Sequence, residues 1–201
     1  MMHQTNRWAI LLIAGLLTAA TGNALAAEPG SFLWIEAEKH DECNFAHFET
    51  SDMGKPKLLS AGEWIMKGMG QEEIKKLVPD EGIRLKYDLN VSQRGNYSLW
   101  ARVGFYGARA DFEWRVGGGD WSQVPKTMPT TNLMELGFFC EASWAHLGQL
   151  DLNPGPTTFE IHYPKATGEN ARMLVALDCL ALVQGQFVPE GPFKPGETYN
   201  D

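Results

Sequence analysis

The chain has 201 residues, 44% of them hydrophobic, with 17 Lys and Arg against 25 Asp and Glu for a formal net charge of −8. That length and apolar content support one domain with a sizeable core. The acidic balance, with no Lys/Arg cluster, argues against a nucleic-acid binder or a protein held on an anionic membrane surface.

The first residues read as an export signal. Arg7 supplies a positive start, residues 8–17 form an apolar run too short to span a bilayer, and Ala24-Leu25-Ala26 is a small-x-small cleavage site. Cleavage is expected after Ala26, giving a secreted or periplasmic protein without a membrane span. The segment holds one basic and no acidic residue, so its removal takes the formal charge from −8 to −9.

Leu33-Trp34-Ile35-Glu36-Ala37-Glu38 predicts the opening strand. Side chains alternate along a strand, so Glu36 and Glu38 share one face. Two like charges so placed repel unless a cation lies between them or the face is bare to solvent. An irregular segment, residues 39–82, follows, containing Ser60-Ala61-Gly62-Glu63-Trp64 and a short helix over 71–77. Ile83, Leu85, Tyr87, Leu89 and Val91 then alternate with polar residues, which predicts a half-buried strand. Further strands are expected over 97–103, 110–116, 121–124, 144–152 and 159–163. Gly- and Pro-containing turns punctuate them. Residues 125–143 and 164–172 read as loops. The run from Met173 to Val183 is apolar on both faces, apart from Asp178, and predicts a central strand. Residues 184–201 are rich in Pro and Gly and read as a linker or a strapped terminus.

Short, regularly spaced strands with little helix predict an all-β fold, an antiparallel β-sandwich over residues 27–183. Strict up-and-down alternation places the turns at Ser92, Gly117 and Asn153 at one end. The longer loops before Gly82, at 104–109, at 125–143 and at 164–172 fall at the other, which becomes the expected binding end.

Three cysteines in an exported chain allow one disulfide. Cys43 and Cys140 lie in loop-like sequence and are the expected pair, although spacing alone does not set connectivity. Cys179 sits inside an apolar strand and reads as a buried thiol.

Several features in order resemble a known family. They are the opening Ile35-Glu36-Ala37-Glu38, the turn Gly95-Asn96-Tyr97, Trp100-Ala101-Arg102, Leu150-Asp151-Leu152 before Pro154-Gly155, and the closing Leu177-Asp178-Cys179-Leu180-Ala181-Leu182. Together they resemble carbohydrate-binding modules of families 6 and 35, with a galactose-binding-like jelly roll. The resemblance implies a structural Ca²⁺ held by Glu36, Glu38 and Asp178 together with backbone carbonyls, consistent with the six to eight oxygens calcium takes. It also implies a polysaccharide or glycan as partner. The chain departs from the family where an Asn is often found two residues before the last-strand aspartate, since Ala176 stands there.

Sugars stack on aromatic faces while polar groups fix their hydroxyls. At the long-loop end the expected contacts are Trp64, Phe105, Tyr106 and Trp144, with Arg109, Glu169 and Asn170 as polar partners. Each of the aromatics could instead be packing. The expected function is therefore a non-catalytic carbohydrate-binding module. One alternative is an interaction or accessory module of a larger glycoside hydrolase, joined through the C-terminal tail and lacking a sugar site. Another is a small hydrolase or lyase. His40, Asp41, Glu42, Cys43 and His47 include metal-ligand residue types, but there is no HExxH motif, no paired CxxC and no G-x-S-x-G elbow. Glu63, Glu135 and Glu141 offer carboxylates for glycoside hydrolysis, with no separation set by the sequence.

Overall fold

The computed structural model describes residues 30–49, 55–137 and 139–197. The expected signal segment lies outside the described residues. Two antiparallel sheets face each other as a jelly-roll β-sandwich. The first contains β1 (Phe32–Glu36), β3 (Ile65–Gly70), β5 (Gly95–Gly104), β8 (Thr131–Gly137), β9 (Cys140–Leu152) and β11 (Arg172–Gln184). Its order is β1-β11-β5-β9-β8, with β3 also paired to β11. The second contains β2 (Glu42–Cys43), β4 (Ile83–Val91), β6 (Phe112–Val116), β7 (Ser122–Val124) and β10 (Gly155–Tyr163), in the order β2-β4-β10-β6-β7. A short helix α1 (Gln71–Leu77) follows β3, with Ile74 as its buried residue.

The core follows from the period-two pattern. Leu85 and Tyr87 on β4, Phe159 and Ile161 on β10, Leu99 and Ala101 on β5, and Leu180 and Leu182 on β11 meet between the sheets. Arg84 and Asp88 alternate with the β4 set and are exposed. β11 lacks such alternation because its outer face is covered as well. Over one half of that face, Leu59 and Trp64 pack with Ala176 and Met66. Over the other, Trp144, Cys179, Ala181 and Val183 are covered by Phe187 of the tail. Burial on both faces is the physical reason for the continuous apolar run.

The tail is strapped to the sandwich. Phe187 meets Trp100 and Trp144 at ring-centroid distances of 5.8 and 5.7 Å. Trp144 Nε1 donates to the Gly191 carbonyl at 2.8 Å, and the Gly191 N–H donates to Asn132 Oδ1 at 2.6 Å.

Two sequence expectations are corrected here. Residues 125–143 are not a single loop. They contain β8 and the first residues of β9, with Gly137 opposite Cys140. The end-to-end alternation survives, because β8 pairs only with the first part of β9, whose remaining length lies along β5. Cys43 and Cys140 are not bonded, and Cys43, Cys140 and Cys179 are all free thiols. Cys43 lies on β2 of one sheet, with its thiol donating to the Phe45 carbonyl, whereas Cys140 opens β9 of the other sheet and donates to Gly137 O. Burial pushes both thiols above their ordinary pKa.

Candidate functional site

At the long-loop end, residues 107–111, 123–126 and 164–167 and the start of β11 wall a cleft of about 870 Å³. A smaller recess of about 420 Å³ between α1 and residues 165–171 shares the Lys165–Thr167 wall. The sandwich fixes these loops at their roots. Phe105 takes a left-handed φ of 57°, unusual for a bulky residue, and its carbonyl accepts the Arg109 N–H at 2.9 Å. The next residue is tied to β11 by Ala110 N–H donating to Leu174 O at 2.8 Å.

Arg109 is the central side chain of the wall. It is only 3% exposed. Its Nη2 donates to the Met128 carbonyl at 2.7 Å, clamping the neighbouring loop, while Nε and Nη1 are buried without a hydrogen-bond partner. The guanidinium lies 5.9 Å from the ring centre of Tyr106, which is 52% exposed. Burial lowers the Arg109 pKa, and Tyr106, Tyr163 and Asp111 act against that fall. Lys126, Lys165 and Arg172 also line the cleft, with Asp111 as the one acidic lining residue. Asp111 accepts the Lys126 backbone N–H at 2.6 Å, and Lys165 pairs with Asp80 at 2.9 Å.

Of the residues expected to contact sugar, the structure brings Arg109 to the cleft wall and Tyr106 beside it. Glu169 lines the smaller recess instead. Asn170 is a turn residue with φ 62°, its N–H donating to Gln71 Oε1 at 3.4 Å. Trp64 and Trp144 are corrections. Trp64 and Trp144 are fully buried on the outer face of the first sheet, and Phe105 stacks on Trp64 with centroids 6.0 Å apart. Trp64 lies so close to the backbone that a Cβ on Gly104 would approach its ring to 2.8 Å. Lys126, Lys165 and Arg172 were missed, because each lies on a different segment and only the topology gathers them. The available signal was a basic residue at every long-loop segment of an acidic chain.

The expected cation ligands differ in their protein partners, although Glu36 lies close enough to Asp178 to raise its pKa. A bulge between Leu177 and Cys179 makes Asp178 the extra residue opposite β5. There it meets Arg102 at 2.5 Å, both side chains being fully buried. Asp178 Oδ1 also accepts the Ser60 N–H at 3.0 Å, and Arg102 Nη1 further donates to Leu58 O at 2.9 Å. Burial pushes Asp178 up to about 7, against the opposing pull of Arg102. Its oxygens are thus engaged by protein donors. Glu36 and Glu38 are less fully engaged and fit a cation. Glu36 Oε1 accepts Trp34 Nε1 at 3.0 Å, but Glu36 Oε2 and both Glu38 oxygens are buried without a hydrogen-bond partner, Glu38 Oε1 having a 3.6 Å ion pair to Lys39. Burial raises the Glu38 pKa, with Glu36 and Glu63 adding to the rise. Among the described residues, no group of three or more His, Cys, Asp or Glu side chains is arranged to hold a metal ion.

Glu135 and Glu141 face each other across the β8–β9 hairpin, away from the cleft lining. Among the described residues, no helix is long and apolar enough to cross a membrane.

No protein-family model matches the chain, and no curated protein matches it. Among solved structures, the chain is similar to the C-terminal family 6 carbohydrate-binding module of LamC, a marine laminarinase from Zobellia galactanivorans. The two share 16% identity at a TM-score of 0.46, over 77% of this chain and 100% of that one. It is similar to a family 35 carbohydrate-binding module from Clostridium thermocellum at 14% identity and a TM-score of 0.46, over 76% and 98% of the two chains. It also resembles the Podospora anserina GH26-CBM35 β-(1,4)-mannanase at 14% identity and a TM-score of 0.47. That match covers 79% of this chain but 29% of the mannanase, so the chain spans under a third of that enzyme.

Proposed function

We propose that the chain is a secreted, non-catalytic carbohydrate-binding module that takes a polysaccharide or glycan in the cleft at its long-loop end. The observation that carries this reading is the 870 Å³ cleft itself, held on the sandwich by the roots of three loops and lined by Lys126, Lys165 and Arg172. Sugar hydroxyls can pair with the exposed polar groups of such a wall, and Tyr106, 52% exposed, offers a ring face at its edge. A single shallow site of this kind gives a dissociation constant on the order of micromolar to millimolar.

Affinity electrophoresis in gels containing polysaccharides tests the reading. Retardation by at least one polysaccharide is expected, with loss on Ala108→Trp, which fills the cleft from an exposed lining position. Retardation by none of a broad panel would sink it. A reducing-end assay on the retained polysaccharide should show no product, and release of product would favour a hydrolase or lyase.

A structural Ca²⁺ at Glu36 and Glu38 is the second part of the reading, supported by three buried oxygens without a hydrogen-bond partner, of which Glu38 Oε1 has only a 3.6 Å ion pair to the exposed Lys39. Bound there, calcium would neutralise two like charges on one strand face. Its test is a fall in melting temperature on adding EDTA, lost in the Glu36→Gln/Glu38→Gln variant.

The interaction-module alternative is favoured by one observation. Edge strand β8 exposes Leu133 at 57%, and the adjoining turn exposes Phe139 completely. If no polysaccharide binds and Phe139→Ser abolishes association with an accompanying enzyme, that alternative replaces the sugar reading.

A further inference from the structure

We infer that the outer face of the first sheet is a peptide-recognition groove for an extended, proline-rich segment of the pattern Phe-x-Pro-x-Gly, with residues 187–191 of the tail as its ligand, bound in cis. The groove shares no residue with the lining of the long-loop cleft and does not depend on what that cleft binds.

The segment is seated as a ligand, not woven in as a strand. After β11 ends at Gln184, residues 186–193 join neither sheet. They run across the strands, from Trp100 on β5 and Trp144 on β9 to Asn132 on β8. Pro189 and Pro192 lack the N–H a ladder needs, and they bias the backbone to an extended form. Burial alternates along the segment. Pro189 and Gly191 are buried and Phe187 is partly so, whereas Val188 and Glu190 face solvent.

The groove reads this segment with side chains. The small Cys179 and Ala181 on β11 leave room for Trp34, Trp100 and Trp144 of three other strands, and Phe187 sets its ring edge-on against two of these indoles. Both backbone groups of Gly191 are matched, its carbonyl accepting the Trp144 Nε1–H at 2.8 Å and its N–H donating to Asn132 Oδ1 at 2.6 Å. Glycine is required there, since its φ is 50° and a Cβ would come within 3.1 Å of Met134 Cε. Aromatic-lined grooves take proline-rich segments because a preformed extended backbone loses little entropy on docking. The indole N–H supplies a donor that the unpaired carbonyls of such a backbone need.

The test separates a docked ligand from a piece of the core. In the full chain, Phe187→Ser/Gly191→Ala removes the ring and sets a Cβ against Met134, which lifts the tail and leaves the residues of both sheets unchanged. A synthetic peptide of residues 185–195 is titrated against this variant, followed by tryptophan emission and thermal melting. Saturable binding is expected, with emission returning towards that of the parent and a raised melting temperature. The parent should bind the peptide roughly 10-fold more weakly or worse, because its own tail competes at an effective concentration on the order of millimolar. A peptide carrying Phe187→Ser should also lose about 10-fold, the ring being the anchor of the segment. Equal binding by parent and variant would place the peptide elsewhere and overturn the inference, as would no binding by a variant that keeps the parent's circular dichroism. A variant that loses its β-sheet signal would overturn it too, by making the tail part of the core.

Discussion

At pH 8, above the raised Asp178 pKa of about 7, Asp178→Asn should destabilise the domain severely. Asp178 and Arg102 are both fully buried and meet at 2.5 Å. Asparagine keeps an acceptor for the Ser60 N–H but removes the charge opposite the guanidinium. Arg102 is then left with the Leu58 carbonyl and, at 3.7 Å, the Met134 sulfur, while its Nε already lacks a partner. Breaking one side of such a pair costs about 3–5 kcal/mol, most of it the uncompensated buried charge. For a domain of this size the melting temperature should fall by roughly 10–15 °C. Arg102→Met should cost about as much, whereas Arg102→Met/Asp178→Leu should recover most of the loss, because no buried charge remains. Urea and thermal unfolding of the four proteins of the cycle give the coupling directly. An Asp178→Asn variant within ~0.5 kcal/mol of the parent, the range of unremarkable surface changes, would refute the ion-pair argument. A parent destabilised by EDTA while Asp178→Asn is indifferent to it would refute it differently, by making the carboxylate a metal ligand.

Glu38 gives a pH dependence of definite sign. Its folded-state pKa lies above its ordinary value because of burial, so the folded chain binds a proton that the unfolded chain releases earlier, and stability falls as pH rises through that interval. In EDTA, Glu38→Gln should therefore gain stability relative to the parent between pH 4 and pH 7; an unchanged difference across that range would contradict this. Trp144→Ala should cost about 3–5 kcal/mol, since the ring is fully buried between Trp34 and Phe187, and a chemical melt like the parent's would show the tail strap to be unimportant. Gly104→Ala should force the Trp64 ring away and lower stability by about 1–3 kcal/mol, with a changed tryptophan emission spectrum. Thiol titration without reductant should find all three cysteines only after unfolding, as the native thiols are buried or partly buried with raised pKa values; two missing thiols would restore the Cys43–Cys140 bond.

Much of the scaffold was legible in the residues alone. β4 coincides with the alternation from Ile83 to Val91, and α1 with the expected helix over 71–77. Hydrophobic period reports one buried face directly, which is why these elements could be read locally. The long-loop end was also legible, because antiparallel strands carry parity along the chain, and so was Arg109 as a polar residue there. The tertiary structure decided what depends on layers and neighbours. A second covering layer on the first sheet took Trp64 and Trp144 out of reach of a ligand. Nothing in a single strand's pattern tells an outer face covered by another segment from one open to ligand. A one-residue bulge gave Asp178 to Arg102, a pairing that no strand period encodes. Basic residues far apart in sequence became one cleft only when three loops met, since their common field depends on distance through space.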